Sequence, residues 1–399
     1  MTDVDQSTPT NPTSPTVAAK PVDRLAFAGL FGGLFTGYVG LTAAIPVLPV
    51  FVRDRFDASN VVVGLVVTAT ALTALLTRPV AGTLADRYGY RLIMRTGSLL
   101  LAAAAALYFL PLGLPALVGV RLLLGIGEAA LFTAGAVWVV SLTPPQRRGQ
   151  LIGLYGLSMW AGISLGTFLG AALLPLGYAA VWALCAGAPL VGVVLVSLVP
   201  APTHTPPPAG SRLANLLPRP ALLPGIALGL AASGYAGLAA FVVLHLQARH
   251  ISAAVAVLSC FSAVYAGTRL VIGHFPDKYG PRRVVIWSGI GEAVGLLVIA
   301  LAPNLPIAVA GSVVMGVGFS LLHPSLALMV MNRTDPAKQG AAIGAYTSFW
   351  DVGLTVFGPL MGLVATGFGY PAVFVVGAAC AVSAVLVSLA VRQQRAVTA

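Results

Sequence analysis

One segment of this sequence occurs twice, and the two copies lie 191 residues apart. Residues 77–91 read TRPVAGTLADRYGYR, and residues 268–282 read TRLVIGHFPDKYGPR. The same offset relates later positions, so that Gly125 returns as Gly316. Shared apolar composition does not by itself produce a gapless recurrence of glycine, proline and charged positions. The sequence therefore predicts one structural unit that is duplicated across the 399 residues.

The composition places this duplicated unit in a membrane. Only 8% of the residues are charged, 58% are hydrophobic, and the mean hydropathy is +0.94, whereas soluble proteins carry about 25% charged residues. A membrane-spanning helix needs roughly 20 apolar residues, and the chain supplies about a dozen such runs, six in each half. The predicted fold is an all-α membrane protein of twelve helices, and a parallel repeat of this kind is a transporter architecture.

Polar segments delimit the two halves. Residues 1–24 are rich in Thr and Pro and lack the order of a cleaved signal peptide, which predicts a disordered cytoplasmic tail. Residues 200–220 contain seven prolines, which favour an extended linker over a helix. The predicted six-helix bundles then occupy residues 25–199 and 221–391, and residues 392–399 form a second tail.

The basic residues indicate the orientation of the chain. Of 22 lysines and arginines, 16 fall at helix ends that share one side of the membrane, and only Arg53, Arg55 and Arg249 fall at the opposite side. The positive-inside rule then predicts that both termini and the linker are cytoplasmic. The net charge of +11 is explained by this topology, so the lipid bilayer is the expected partner and nucleic acid is not.

The repeated segment resembles the signature of the major facilitator superfamily between the second and third helices. The matching positions of the two copies are Gly82, Asp86, Arg87 and Arg91, and Gly273, Asp277, Lys278 and Arg282. The resemblance implies two six-helix bundles that rock around a central site. It also implies that these residues form a conformational latch, which steadies the outward-facing state.

Three further runs narrow the resemblance. The run from Arg121 to Ala130 is similar to the fourth-helix motif of proton-coupled members, and the run that starts at Gly153 resembles the fifth-helix motif of exporters. Thr167 departs from that motif, where the family usually has proline. The run of residues 344–362 is similar to a bacterial subgroup that includes arabinose-efflux-permease-like proteins and metallophore exporters.

Ionisable residues inside membrane spans are functional candidates by default. Glu128 lies 13 residues past Pro115, or about 20 Å along a helix, and Arg121 shares its face at a separation of about 10 Å. The pair predicts a coupling or substrate relay, with a buried structural pair as the alternative. Asp351 is predicted to couple protons or bind substrate, or else to pack against a neighbouring helix. Glu128 and Asp351 have no charged counterpart in the other half of the repeat.

Other intramembrane polar residues have weaker predictions. Arg78 and Arg269 are predicted to snorkel to the membrane interface in a structural role. Glu292 lies on the ninth helix, which the resemblance places outside the cavity. Candidate cavity-lining residues are Tyr38, Tyr155, Trp160, Tyr235, His245, His323, Tyr346 and Trp350, although packing is the alternative for each of them. Cysteine spacing indicates no disulfide or metal site, and no cofactor is expected.

These observations predict a secondary transporter, most simply a monomeric exporter of a small amphiphilic drug or metabolite that is driven by proton influx. An uptake symporter for a sugar, peptide or organic anion is the first alternative, because one fold supports both directions. A membrane-embedded enzyme or sensor is a remote alternative. The sequence has no P-loop, HExxH or EF-hand pattern, so no enzymatic activity is expected. Nothing in the sequence names the substrate.

Overall fold

The computed structural model describes residues 24–111, 113–143, 148–200, 218–334 and 339–391, and within them every regular element is helical. The helices of the first half are α1 (Arg24–Ala43), α2 (Leu48–Phe56), α3 (Asn60–Tyr88), α4 (Tyr90–Ala106), α5 (Leu114–Ser141), α6 (Arg148–Leu173) and α7 (Tyr178–Leu198). Those of the second half are α8 (Arg219–Gln247), α9 (Val255–Ile272), α10 (Phe275–Tyr279), α11 (Pro281–Leu301), α12 (Leu305–Met331), α13 (Gln339–Phe368) and α14 (Tyr370–Leu389).

The described residues contain twelve helical segments that are long and apolar enough to cross a membrane. Helices suit this setting because every backbone hydrogen bond is made within the segment. The tight reversals between spans use glycine: Gly89 and Gly280 have φ values of 96° and 86°, in the left-handed region that glycine adopts without strain. These two glycines are related by the offset of the repeat. The predicted tails and most of the linker lie outside the described residues, so their structure stays a prediction.

A proline lies at each of two helix breaks, one inside the first predicted span and one just after the eighth, which was expected to end at residue 275. The first apolar run was expected as one helix over residues 25–52, but α1 ends at Ala43 and α2 begins at Leu48, on either side of Pro46. The eighth run ends as a helix at Ile272, and α10 is separate. Pro276 has no backbone N–H to donate to Ile272. The equivalent residue of the first half is Ala85, and α3 continues through it.

Each half forms a six-span bundle with the same packing pattern. In the first bundle α1 packs against α6 and α7, and α5 packs against α3 and α4. In the second bundle α8 packs against α13 and α14, and α12 packs against α9 and α11. The two lists correspond element by element, which confirms the internal repeat.

Individual hydrogen bonds also repeat. The Tyr155 hydroxyl of α6 donates to the Phe132 carbonyl of α5 at 3.3 Å. The Tyr346 hydroxyl of α13 donates to the His323 carbonyl of α12 at 2.9 Å. Both residues of each pair are related by the offset of 191, so the duplication preserves a contact between equivalent helices.

The bundles meet along two seams: α3 packs against α13 at the first seam, and α6 packs against α9 at the second. Contact is tightest at the end that carries residues 57–59, 177 and 302–304, which we call the short-loop end. There a Cβ placed on Gly64 of α3 would collide with the Gly358 carbonyl of α13, and the Asn60 amide donates to the Thr366 hydroxyl at 3.4 Å. On the second seam, the Ser164 hydroxyl donates to the Ser262 carbonyl at 2.5 Å.

The bundles separate toward the opposite end, which we call the linker end because α7 ends and α8 begins there. Gly153 and Gly344 lie on the interface faces of α6 and α13, two turns from Trp160 and Asp351. A Cβ on either glycine would meet no neighbouring atom within 4 Å among the described residues. The interface therefore forms a wedge that is closed at the short-loop end.

Candidate transport site

Three charged side chains from both bundles meet where α3 and α13 begin to separate. Arg78 of α3 donates from Nε to Asp351 Oδ2 at 2.7 Å and from Nη2 to Asp351 Oδ1 at 3.2 Å. The same Nη2 lies 3.5 Å from Glu128 Oε1 on α5. We call these three residues, together with Tyr38, the ion cluster. The Tyr38 hydroxyl of α1 donates to Glu128 Oε1 at 3.0 Å.

Helix packing places the members of the ion cluster within reach of one another. Asp351 lies seven residues before Gly358 on α13, which is two helical turns along one face. Arg78 lies fourteen residues after Gly64 on α3, again on one face. Because Gly64 and Gly358 allow the two backbones to approach closely, the guanidinium spans the remaining gap. The Phe132 ring supports it from α5, with its centroid 5.1 Å from Arg78 Cζ.

The ion cluster holds one more acid than base. Two carboxyl groups surround a single guanidinium, and Asp351 is only 2% exposed. With both carboxylates ionised, one negative charge lies uncompensated in a low-dielectric interior, which is costly. This arrangement favours uptake of one positive charge, either a proton or a cationic group of a ligand.

A cluster of aromatic rings lies beside the second seam. Trp160 of α6 packs against Tyr265 of α9 with ring centroids 4.1 Å apart. The centroid of its ring also lies 6.5 Å from that of Phe319 on α12 and 5.8 Å from that of Trp350 on α13. Tyr235 of α8 completes the group, which we call the aromatic cluster, with its ring 5.5 Å from that of Trp350. Such rings provide an apolar surface beside the charges.

The structure brings two of the three predicted coupling residues together. Glu128 and Asp351 share Arg78 as their common partner. Arg121 instead donates from Nε to the Val66 carbonyl at 2.9 Å and from Nη2 to the Val67 carbonyl at 2.6 Å. These bonds tie α5 to the backbone of α3, and the relay between Arg121 and Glu128 stays a prediction.

Arg78 is the member of the ion cluster that was not predicted from the sequence to lie near the other charges. It was expected to snorkel to the membrane interface, but its side chain is 14% exposed and paired with both carboxylates. A signal was present in the sequence, because three unpaired charges inside apolar spans need one another. Tyr265 and Phe319 were also missed, since an aromatic residue in a membrane helix carries no distinctive pattern.

The remaining predicted lining residues divide between the two clusters and bundle packing. Tyr38 joins the ion cluster, and Trp160, Tyr235 and Trp350 join the aromatic cluster. Tyr155 and Tyr346 make the repeated packing bonds described above. His245 contacts the Ile299 carbonyl through Nε2 at 3.2 Å, and the His323 ring lies 5.3 Å from that of Tyr346. The roles of all these residues stay predictions.

The predicted latch residues occupy the linker end of each bundle. Arg91 donates to the Ser197 carbonyl near the end of α7, and Arg282 donates to the Leu389 carbonyl near the end of α14 at 3.1 Å. An arginine at the C-terminus of a helix satisfies free carbonyls and complements the helix dipole.

The other latch positions differ between the two copies in burial and share some contacts. Asp86 is 6% exposed, whereas Asp277 is exposed. Gly82 packs near Thr133, and Gly273 follows the last residue of α9. Arg87 and Lys278 each lie over the ring of the following tyrosine.

Two bundles of six spans, related by an internal repeat and meeting around buried charges, define a secondary transporter. The sequence matches the family model of the Major Facilitator Superfamily over residues 30–257 and again over residues 225–398. The chain is 33% identical over 397 residues to an uncharacterized MFS-type transporter of Burkholderia mallei (strain SAVP1), covering 94% of this chain and 96% of that protein. A second such transporter, from Salmonella typhimurium (strain LT2), is 32% identical and covers 90% of this chain and 95% of its own length. The chain belongs to the Major Facilitator Superfamily.

Solved structures support the fold. A mutant form of the nucleoside transporter NupG aligns with a TM-score of 0.76 at 14% identity, covering 92% of this chain and all of that one. A bacterial homologue of the human lysosomal transporter Spinster, in an inward-facing and occupied conformation, aligns with a TM-score of 0.76 at 16% identity and covers 94% of this chain and all of that one. The human organic anion transporter MFSD10 aligns with a TM-score of 0.70 at 18% identity, covering 92% of this chain and all of that one. At these identities the likeness concerns the fold alone.

Proposed function

We propose that this protein is a proton-coupled exporter of a small amphiphilic drug or metabolite. The observation that carries the proposal is the charge imbalance of the ion cluster, with two carboxyl groups and one guanidinium at the boundary between the bundles. One added positive charge balances the cluster. A proton and the cationic group of a substrate compete for that place, and such competition is the basis of antiport.

The aromatic cluster supports the amphiphilic part of the proposal. Its rings lie on α6, α8, α9, α12 and α13, and Trp350 adjoins Asp351 in the sequence. A ligand that places a cationic group at the carboxylates can lay an apolar ring against Trp350 and Tyr235. Stacked or edge-to-face ring pairs contribute about 0.5–1.5 kcal/mol each beyond burial.

Alternating access follows from the connection of the bundles through Arg78. While Arg78 holds Asp351, α3 and α13 are tied together near the middle of the membrane. Protonation of a carboxyl, or its capture by a substrate cation, weakens that tie and favours rearrangement of the interface. A proton or substrate shifts the balance between two conformations only to the extent that it binds one of them more strongly than the other.

The orientation belongs to the same proposal. By the positive-inside rule, the short-loop end faces away from the cytoplasm of a bacterial inner membrane, and both termini face it. The wedge then opens toward the cytoplasm, where an exporter loads its substrate. A reporter fused within residues 200–220 should behave as cytoplasmic, and periplasmic behaviour would contradict the assignment.

Vesicle transport tests the coupling. A panel of amphiphilic compounds would first identify one that the wild-type protein moves, in inside-out and in right-side-out vesicles. An imposed proton gradient should drive accumulation in inside-out vesicles, and accumulation only in right-side-out vesicles would instead support an uptake symporter.

Glu128→Gln then tests the proton site, because it balances the cluster permanently and keeps the bond from Tyr38. We expect it to abolish uphill accumulation and to retain downhill exchange. Glu292→Gln is the matched control, since it removes a fully buried carboxyl of the second bundle that lies outside the cluster, and it should transport uphill. If Asp351→Asn alone uncouples transport, the proton site belongs to α13. Wild-type uphill transport by Glu128→Gln would show that Glu128 is structural.

A further inference from the structure

A cavity of about 270 Å³ lies inside the first bundle at the short-loop end. Residues of α2, of the segment 107–111 that follows α4, and of the starts of α5 and α7 line it, and it shares no lining residue with the ion cluster. Its size approaches the lower limit of small-molecule sites, which is roughly 300 Å³. The transport cycle proposed above does not use this cavity.

Aromatic rings form much of the wall of the cavity. The Trp182 ring lies 4.7 Å from the Tyr108 ring and 5.5 Å from the Phe51 ring, and it stands nearly perpendicular to the latter. Phe56 and Phe109 also line the space. Rings that present both faces and edges bind a flat apolar group well.

The wall of the cavity contains one buried hydroxyl group, that of Tyr108, which is 8% exposed. No described residue accepts a hydrogen bond from it. Arg121 does not line the cavity, but its positive charge acts on this hydroxyl. A buried hydroxyl of this kind is available to donate to a ligand in the cavity.

The lining of the cavity contains one positively charged side chain among the described residues. Arg55 is the charged residue of its lining, and no carboxylate lines it among the described residues. Arg121 adds a second positive charge nearby, and its Nε and Nη2 already donate to the carbonyls of α3. An acid group is the natural partner for such donors, since charge-assisted hydrogen bonds are the strong ones.

We propose that this cavity is a binding site for a small aromatic acid, separate from the transport site. The ring packs among Phe51, Tyr108 and Trp182, and the carboxylate accepts a hydrogen bond from the Tyr108 hydroxyl and pairs with Arg55. An anionic lipid headgroup shares the charge but lacks the ring, so the aromatic wall favours the acid.

Fluorescence quenching of the purified full-length protein in phosphatidylcholine nanodiscs tests the site, with para-iodobenzoate as the probe. The iodine should quench Trp182 in a saturable way. Trp182→Phe should remove this quenching, whereas Trp160→Phe, in the aromatic cluster, should retain it. Arg55→Gln and Tyr108→Phe should each weaken binding about tenfold.

Matched controls separate the site from general charge effects. Arg249 lies at the same end of the second bundle and donates to the Ala302 carbonyl at 2.8 Å, so Arg249→Gln should bind the probe like the wild type. The neutral para-iodobenzyl alcohol should bind more weakly than the acid. Equal binding by the alcohol, or unchanged binding by both Arg55→Gln and Tyr108→Phe, would overturn the proposal. Loss of quenching in nanodiscs of anionic lipid would assign the cavity to a headgroup and would also overturn it.

Discussion

Arg78 and Arg269 occupy the same position of the repeat, but they have different partners. Arg78 pairs with Asp351 and Glu128, whereas Arg269 donates to the Ser320 carbonyl at 3.0 Å. The repeat places Phe319 where the first half has Glu128, and it places Trp160 where the second half has Asp351. One seam of the interface is thus charged and the other is aromatic.

This difference shows which parts of the duplicated unit are constrained. Some contacts inside each bundle recur in both halves, as for Tyr155 and Tyr346, because they hold the helices together. Side chains at the interface between the bundles have diverged, because changing them does not unpack a bundle. The divergence leaves charged side chains at one seam and aromatic rings at the other.

We expect the largest difference in stability between equivalent substitutions when each of the two arginines, Arg78 and Arg269, is replaced. Arg78→Gln removes the base that two buried carboxyl groups share, and breaking a buried ion pair costs about 3–5 kcal/mol. Arg269→Gln removes one bond to a carbonyl, which costs about 1 kcal/mol. Thermal unfolding in detergent should show a much larger loss for Arg78→Gln, and transport should fail with it. Equal losses of thermal stability in both variants would mean that the ion cluster does not stabilise its seam more than the single bond of Arg269 stabilises the second bundle.

An intermediate difference is expected for the latch aspartates. Asp86 is buried and Asp277 is exposed, since Pro276 separates α10 from α9. Asp86→Asn should reduce the transport rate with little loss of folded protein, and Asp277→Asn should reduce it less. Initial transport rates, normalised to folded protein, would measure this. Undiminished rates in both variants would remove the latch interpretation.

The smallest effects should come from the contact that the halves share. Tyr155→Phe and Tyr346→Phe each remove one hydroxyl bond inside a bundle, for a loss of about 0.5–1.5 kcal/mol in unfolding free energy. The loss should be slightly larger for Tyr346, because its bond is 2.9 Å long rather than 3.3 Å. Transport should persist in both variants. A loss of transport in one of them alone would show that the halves differ inside the bundles as well.

Much of the fold could be predicted from the residues alone. The offset of 191 and the apolar runs indicate twelve spans in two related bundles, because span length and backbone satisfaction in lipid leave few alternatives. The helix break at Pro46 was missed. A proline within an apolar run does not by itself show where a helix ends, because α3 and α12 continue through Pro79 and Pro324.

The candidate site was predicted only in part. Glu128 and Asp351 were found because a charge inside an apolar span is costly wherever it lies. Their partner was not, because Arg78 is 50 residues from one and 273 from the other. Periodicity along one helix describes only the neighbours on that helix, so it paired Glu128 with Arg121.

The membrane class, the duplication and the family could be predicted because they depend on composition and on local pattern. Which charges meet, which seam holds the rings and which end of the interface is closed became known from the packing of the helices. The close approach of Gly64 to Gly358 brings Arg78 to Asp351. Contacts of this kind depend on the relative placement of two helices from different bundles, which no pattern within either helix encodes.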